Sequence, residues 1–141
     1  MHHLDVLRMK MKTLLNLFSI FIFVQVAHTE PSALLFESMV EAHSQASGEK
    51  IEIKMEEVPE SLRSILEVTK EEKAKLEAGE SLYTHKEFRD LLRKASEANT
   101  ALPKIAVILV NQGIKNKLNG VQLTLACRLI IHETERQNQA E

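Results

Sequence analysis

The sequence predicts an all-α fold, a small bundle of short amphipathic helices around an apolar pocket. Two capping boxes with the pattern Thr-x-x-Glu begin at Thr69 and Thr84, and such boxes mark the first turn of a helix. Behind the second box, Phe88, Leu91 and Leu92 recur at the spacing of one helix face. These local signals predict two consecutive helices in the middle of the chain.

The flanking segments predict further helices. Pro31 and Pro59 each suit the opening position of a helix, and Gly79 is a natural stop for the helix that begins at Thr69. Residues 51–56 alternate between apolar and charged side chains, which is typical of a strand. Because this piece is short and has no evident partner strand, we interpret it as a linker.

Two segments of the second half are apolar on nearly every side. Residues 105–110 carry no polar side chain, and apolar residues alternate through 121–131. Pro103 favours a helix for the first segment, and the Asn-Gly pair at 119–120 is expected to end it. The alternative is an α+β fold with a C-terminal strand pair at 103–112 and 121–131.

The amino terminus has the layout of a secretory signal peptide. Basic residues near the start precede an apolar run at 14–26, and small and polar residues follow. The run is short for a membrane anchor, which needs roughly 20 apolar residues. We therefore expect residues 1–29 to be a leader, cleaved after Ala27 or Thr29, and the protein to be secreted and extracellular.

The remainder is predicted to be one domain, residues 30–136, followed by a polar tail, 137–141. From position 30 onward the chain has 15 Lys and Arg and 19 Asp and Glu. This net negative charge disfavours nucleic acid as a partner. Residues 30–80 hold 13 of the acids, whereas residues 81–141 carry 9 bases against 6 acids. This tilt predicts an acidic half beside a mildly basic half.

The sequence contains no arrangement typical of catalysis or metal binding. No His is spaced from another His or Cys as metal ligands are, and no Gly-rich phosphate loop occurs. Cys127 is the single cysteine, so no internal disulfide is possible, and its apolar surroundings should blunt its reactivity. We expect no enzyme activity, no metal and no cofactor.

The apolar excess of residues 105–110 and 121–131 is the feature that bears on function. An amphipathic helix normally has one apolar stripe, whereas these segments are apolar nearly all round. Either another chain covers them, or they wall an internal cavity that takes an apolar ligand. An ordinary core, wrapped by the other helices, is the plainer explanation.

Four segments follow one another in an order and pattern seen in a known family. They are Val-Pro-Glu-Ser-Leu-Arg at 58–63, Leu-Glu-Val-Thr-Lys-Glu-Glu-Lys-Ala-Lys-Leu at 66–76, the amphipathic stretch 84–96 ending in Leu-Arg-Lys-Ala-Ser, and Ile-Lys-Asn-Lys-Leu-Asn-Gly at 114–120. Together they resemble the secreted nematode fatty-acid- and retinol-binding proteins. Members of that family continue for several further helices, so the chain resembles a shortened member.

The resemblance implies a helical carrier that holds a fatty acid or retinol in an internal apolar cavity. The expected wall residues are apolar side chains of the predicted helices: Leu62, Ile65, Leu66, Phe88, Leu91, Leu92, Ile105, Ile108, Leu109, Leu125 and Leu129. The candidates for meeting a ligand head group are Arg93, Lys104, Lys115 and Arg128. The resemblance also implies phosphorylation of Thr69, although the capping box accounts for the same residues.

Two further expectations concern partners. A modestly basic second half would tolerate transient contact with an anionic membrane surface. The competing function is a secreted helical interaction module or homodimer without a lipid ligand, which would bury residues 105–110 and 121–131 against its partner.

Overall fold

The computed structural model describes residues 28–140, with side chains for residues 28–139. Within this range it contains six α-helices, one 3₁₀ turn and a two-stranded antiparallel sheet. In chain order these are β1 (Glu30–Pro31), α1 (Ala33–Ser47), the 3₁₀ turn (Met55–Glu57), α2 (Glu60–Leu66), β2 (Glu67–Val68), α3 (Lys70–Glu77), α4 (His85–Glu97), α5 (Lys104–Ile114) and α6 (Gly120–Ala140). The predicted all-α class is confirmed. The predicted leader lies outside the described residues except at its last two positions.

Both capping boxes form as the sequence predicts. The hydroxyl of Thr69 accepts from the backbone N–H of Glu72 at 3.1 Å, while the Glu72 carboxylate accepts from the N–H of Thr69 at 2.8 Å. The pair Thr84 and Glu87 repeats this exchange at 3.0 and 2.9 Å. Each box satisfies two backbone donors that a helix start otherwise leaves unpaired, so it fixes where α3 and α4 begin.

The first helix begins later than the sequence predicts. Pro31 does not open it but lies in β1 opposite Glu67, and Ser32 is the cap of α1. The Ser32 hydroxyl accepts from the N–H of Leu35 at 3.2 Å, and its own N–H donates to the carbonyl of Leu66 at 2.8 Å. Ser32 sets the start of α1 because its hydroxyl accepts from a backbone N–H that has no partner within the helix. Proline has no side-chain acceptor for that N–H.

The alternative strand pair at 103–112 and 121–131 is wrong, because both segments lie in helices, α5 and α6. The Asn-Gly pair at 119–120, expected to end a helix, instead begins α6. Asn119 accepts from the N–H of Gln122 at 2.8 Å, and Gln122 accepts from the N–H of Asn119 at 3.0 Å. The helix continues through Ala140, so most of the predicted tail at 137–141 is helical.

Helix α6 occupies the centre of the molecule and contacts α1, α2, α4 and α5. Residues 123–127 are buried one after another, because helices cover α6 on several sides. A helix surrounded in this way needs no single apolar stripe. Because α6 is covered on several sides, its apolar residues are not confined to one face, and residues 121–131 show an alternating pattern like that of a strand.

Candidate functional site

A cleft of about 500 Å³ opens at the surface where four helices and a linker meet. We call it the apolar cleft. Its apolar lining consists of Ala46, Ile51, Leu62, Pro103, Ile105 and Leu129, and its polar lining of His43, Ser47, Lys104 and Glu133. The lining comes from the end of α1, the linker after it, α2, the start of α5 and the middle of α6. No single segment of the chain contains the site.

The helix that carries Leu62 is short and is held in place by two arginines. Arg63 donates to the carbonyl of Val58 at 3.2 Å and to that of Glu56 at 3.1 Å, which braces the start of α2. Arg128 of α6 donates to the carbonyl of Ile65, in the last turn of α2, at 3.2 Å and to that of Glu67 in β2. These charge-assisted bonds satisfy carbonyls that the end of a helix leaves unpaired.

The cleft combines buried apolar side chains with an exposed charge. Leu129 and Ile105 are buried, whereas Lys104, the first residue of α5, is exposed. The unpaired N–H groups and the dipole at a helix start favour an anion, and the ammonium of Lys104 adds to that preference. The mouth beside α5 is therefore the part of the cleft best suited to a negative group.

Glu133 places a carboxylate on the α6 side of the cleft. Arg136 donates to its Oε2 from Nη2 at 2.8 Å and from Nε at 3.0 Å, and Gln137 donates from 3.3 Å. Burial alone would raise the pKa of Glu133, but these hydrogen bonds and the positive charges of Arg136 and His132 lower that pKa below 4.5. The cleft thus has an ionised acceptor on its α6 side.

Only three of the expected wall residues line the cleft: Leu62, Ile105 and Leu129. Five others are buried among the packed helices: Ile65, Leu66, Phe88, Leu109 and Leu125. The remaining three, Leu91, Leu92 and Ile108, are half-buried outside the cleft. The apolar segments of the second half are mainly core, and the space beside them is an open cleft rather than an enclosed cavity.

Of the four head-group candidates, only Lys104 lines the cleft. Arg93 is exposed and pairs with Glu97 at 3.2 Å, one turn further along α4. Arg128 is used to hold the end of α2, and Lys115 follows the last residue of α5, at the far end from Lys104. An 11-residue helix separates these two lysines by about 16 Å.

Several other lining residues carry no signal in the sequence that marks them as part of a site. Ile51 belongs to the linker, and Ser47 and His43 lie near the end of α1 with no motif around them. Glu133 follows the apolar segment and resembles a solvated surface acid in the sequence. Only its i+3 and i+4 neighbours, Arg136 and Gln137, are a local sign that its carboxylate is held.

The described residues offer little else for chemistry. In that part of the chain, no group of three or more His, Cys, Asp or Glu is placed to hold a metal ion. Burial, with a smaller effect from Glu87, raises the pKa of Cys127 to about 12, so its thiol is not activated. Between residues 28 and 140, no helix is both long enough and apolar enough to cross a membrane.

No protein family, no curated protein and no solved structure matches this chain. The likeness to the nematode fatty-acid- and retinol-binding proteins therefore stays a prediction from the sequence.

Proposed function

We propose that the protein is a secreted carrier that holds the hydrocarbon chain of a fatty acid or of retinol in the apolar cleft. The supporting observation is that three predicted wall residues, Leu62, Ile105 and Leu129, meet the head-group candidate Lys104 around one cleft of about 500 Å³. Pockets for small molecules typically have volumes of about 300–1,000 Å³, with mostly apolar walls and a few polar groups.

The hydrocarbon chain supplies the affinity in this proposal. Each methylene removed from water contributes about 0.8 kcal/mol, which corresponds to about fourfold in affinity. Across a series of saturated fatty acids, we expect the dissociation constant to fall by about fourfold per added methylene until the cleft is full, and then to level off. A series with no dependence on chain length would contradict burial of the chain.

Lys104 and Glu133 should attract different head groups, so a fatty acid and retinol should place their polar ends on different sides of the cleft. A fatty-acid carboxylate would lie at the mouth, close to Lys104 and the start of α5, because the ionised Glu133 repels it from α6. A hydroxyl head group carries no charge and would donate a hydrogen bond to Glu133. Fatty acids should therefore depend on Lys104 more than retinol does.

Titration with a fluorescent fatty acid and with retinol tests the proposal. We expect saturable, blue-shifted emission, weakened in Leu62→Ser because the wall loses apolar area. Leu82→Ser is the matched control, since Leu82 is also a half-buried leucine but lies outside the cleft. Equal weakening in both variants would show that lost stability, not a lost wall, is responsible.

A second pair of variants tests the head group. Lys104→Gln should weaken binding of the fatty acid by about fivefold while leaving binding of retinol nearly unchanged, because only the acid carries a charge. Lys94→Gln removes an exposed lysine from α4, away from the cleft, and should leave the affinity for both ligands unchanged. Full-strength fatty-acid binding by Lys104→Gln would overturn the head-group assignment.

The competing proposal, an interaction module or homodimer that buries residues 105–110 and 121–131, has less support. Within the chain, Ile105, Ala106, Leu109 and Val110 are already buried, as is most of 121–131. Light scattering distinguishes the two: a stable dimer with no lipid signal would favour the interaction module.

A further inference from the structure

The part of the chain that the structure describes exposes two large apolar side chains, and both belong to α5. Val107 is 41% exposed and Ile114 is 67% exposed. Together with Lys104 and Asn111, also exposed, they recur at spacings of three and four residues, so they form one outer stripe of α5. Single exposed apolar residues are ordinary on protein surfaces, but here both occur on the same stripe.

The surroundings of this stripe are basic. Lys115 and Lys117 are exposed in the turn after α5, and Arg89 of α4 lines a small groove together with Ile114. Within residues 28–139, none of these three cations takes part in a salt bridge. Their charges therefore remain available to a partner.

Acidic side chains are absent from this region of the sequence. No Asp or Glu occurs between Glu97 and Glu133, a span that includes all of α5 and both of its flanking turns. On α4, the acids Glu87 and Asp90 line a different groove, which faces Ile131 of α6. The outer stripe of α5 and the turn after it thus form a patch with exposed apolar side chains and only positive charges of its own.

We propose that this patch, formed by Val107, Ile114, Lys115, Lys117 and Arg89, docks on the surface of an anionic lipid bilayer. Exposed aliphatic side chains enter the headgroup region, while Lys and Arg attract anionic lipids. A protein partner fits less well, because a specific protein interface needs about 800 Å² on each side and two aliphatic side chains on one stripe offer far less. The chain would lie on the membrane without crossing it.

Docking in this way would also bring the apolar cleft to the membrane. Lys104 belongs both to the outer stripe and to the mouth of the cleft, so the two features share the start of α5. A ligand would then pass between bilayer and cleft with little exposure to water. This last step rests on the proposed carrier function, whereas the docking itself does not.

Vesicle sedimentation tests the docking, using protein secreted by a eukaryotic host. We expect binding to vesicles of phosphatidylcholine with phosphatidylserine, much weaker binding to phosphatidylcholine alone, and loss of binding at high salt. Lys115→Gln with Lys117→Gln should weaken binding by about fivefold per lysine. Lys70→Gln with Lys75→Gln removes the same charge from exposed positions on α3 and should change binding by about twofold or less.

Ile114→Asp tests the apolar contribution and should lower binding on the order of tenfold. Because Ile114 is exposed, the variant should keep the circular dichroism and the fatty-acid titration of the wild type, which separates docking from ligand binding. Equal binding to both kinds of vesicle, or unchanged binding by Ile114→Asp and the lysine pair, would overturn the docking. A dimer that Ile114→Asp dissociates, with no vesicle binding, would assign the patch to a second copy and also overturn it.

Discussion

Thr124 shows how one buried hydroxyl can join two distant parts of the chain. Its side chain, fully buried in α6, donates to the carbonyl of Gly120 at 2.8 Å and accepts from the backbone N–H of Leu82 at 3.0 Å. Ser81 lies within 3.3 Å of the same oxygen. The hydroxyl therefore fixes the turn before α4 against the first turns of α6.

Replacing this hydroxyl by a methyl group should be more harmful than its size indicates. Thr124→Val keeps the shape but leaves the N–H of Leu82 without its partner, so we expect the free energy of unfolding to fall by about 1–3 kcal/mol. Thr124→Ser keeps the hydroxyl and should be less destabilised. Urea denaturation measures both, and a Val variant that is more stable than the Ser variant would contradict this role.

Glu133 links the stability of the protein to pH. Its pKa is lowered in the folded state, so the ionised carboxylate stabilises the fold fully above the ordinary value of 4.5, and this contribution is lost as the pH falls through the lower folded value. We expect Glu133→Gln to be less stable than the wild type at neutral pH, with a difference that shrinks below pH 4.5.

The matched control for this prediction is Glu135→Gln, which changes an exposed acid on the same helix. Denaturation curves across the acidic range should show little difference between this variant and the wild type. A constant gap between Glu133→Gln and the wild type at every pH would show that shape, not charge, accounts for the effect.

At the level of helices, the capping boxes determine where α3 and α4 begin. Thr84→Ala removes the acceptor for the N–H of Glu87 at the start of α4, and a lost cap typically costs about 0.5–2 kcal/mol. Ser96→Ala, at an exposed position in the last turn of the same helix, removes a hydroxyl that caps neither helix end. Thermal unfolding should separate the two variants, and equal melting temperatures would argue against the cap.

The helices that begin with reciprocal side-chain bonds are the ones that the sequence predicts well. A capping box is complete within four residues, so α3 and α4 can be located without knowledge of the fold. The prediction that the Asn-Gly pair at 119–120 ends a helix is wrong, because the same residue types can end one helix or begin the next. What decided between them is the side chain of Gln122, together with the space around Gly120, where a Cβ would lie 2.6 Å from the carbonyl oxygen of Gly79.

The functional residues were harder to predict than the helices, because their neighbours come from distant parts of the chain. Leu62 and Leu129 meet in the cleft although 67 positions separate them, and periodicity alone could not distinguish them from core leucines such as Leu125. Arg128 resembles a surface charge in the sequence, yet it holds the end of α2. Such roles depend on which faces meet, which a single sequence does not specify.

At the scale of the whole molecule, stability depends on α6. This helix contacts four others, so a cavity beside it loosens several interfaces together. We expect Leu125→Ala, at a fully buried position, to lower the free energy of unfolding by about 2–5 kcal/mol. Val107→Ala, at an exposed position, should change it by about 0.5 kcal/mol or less. Similar losses in chemical denaturation would contradict the central place of α6.

If the predicted leader is removed, the position of the cut affects the contacts beside the small two-stranded sheet. Cleavage after Ala27 would leave Thr29 in place, where its hydroxyl donates to the Glu67 carboxylate at 3.1 Å. Cleavage after Thr29 would remove that bond and put a new ammonium group on Glu30, whose carboxylate already pairs with Lys73 at 3.3 Å. The cleavage position would therefore determine how many side-chain contacts hold the new amino terminus beside β2 and α3.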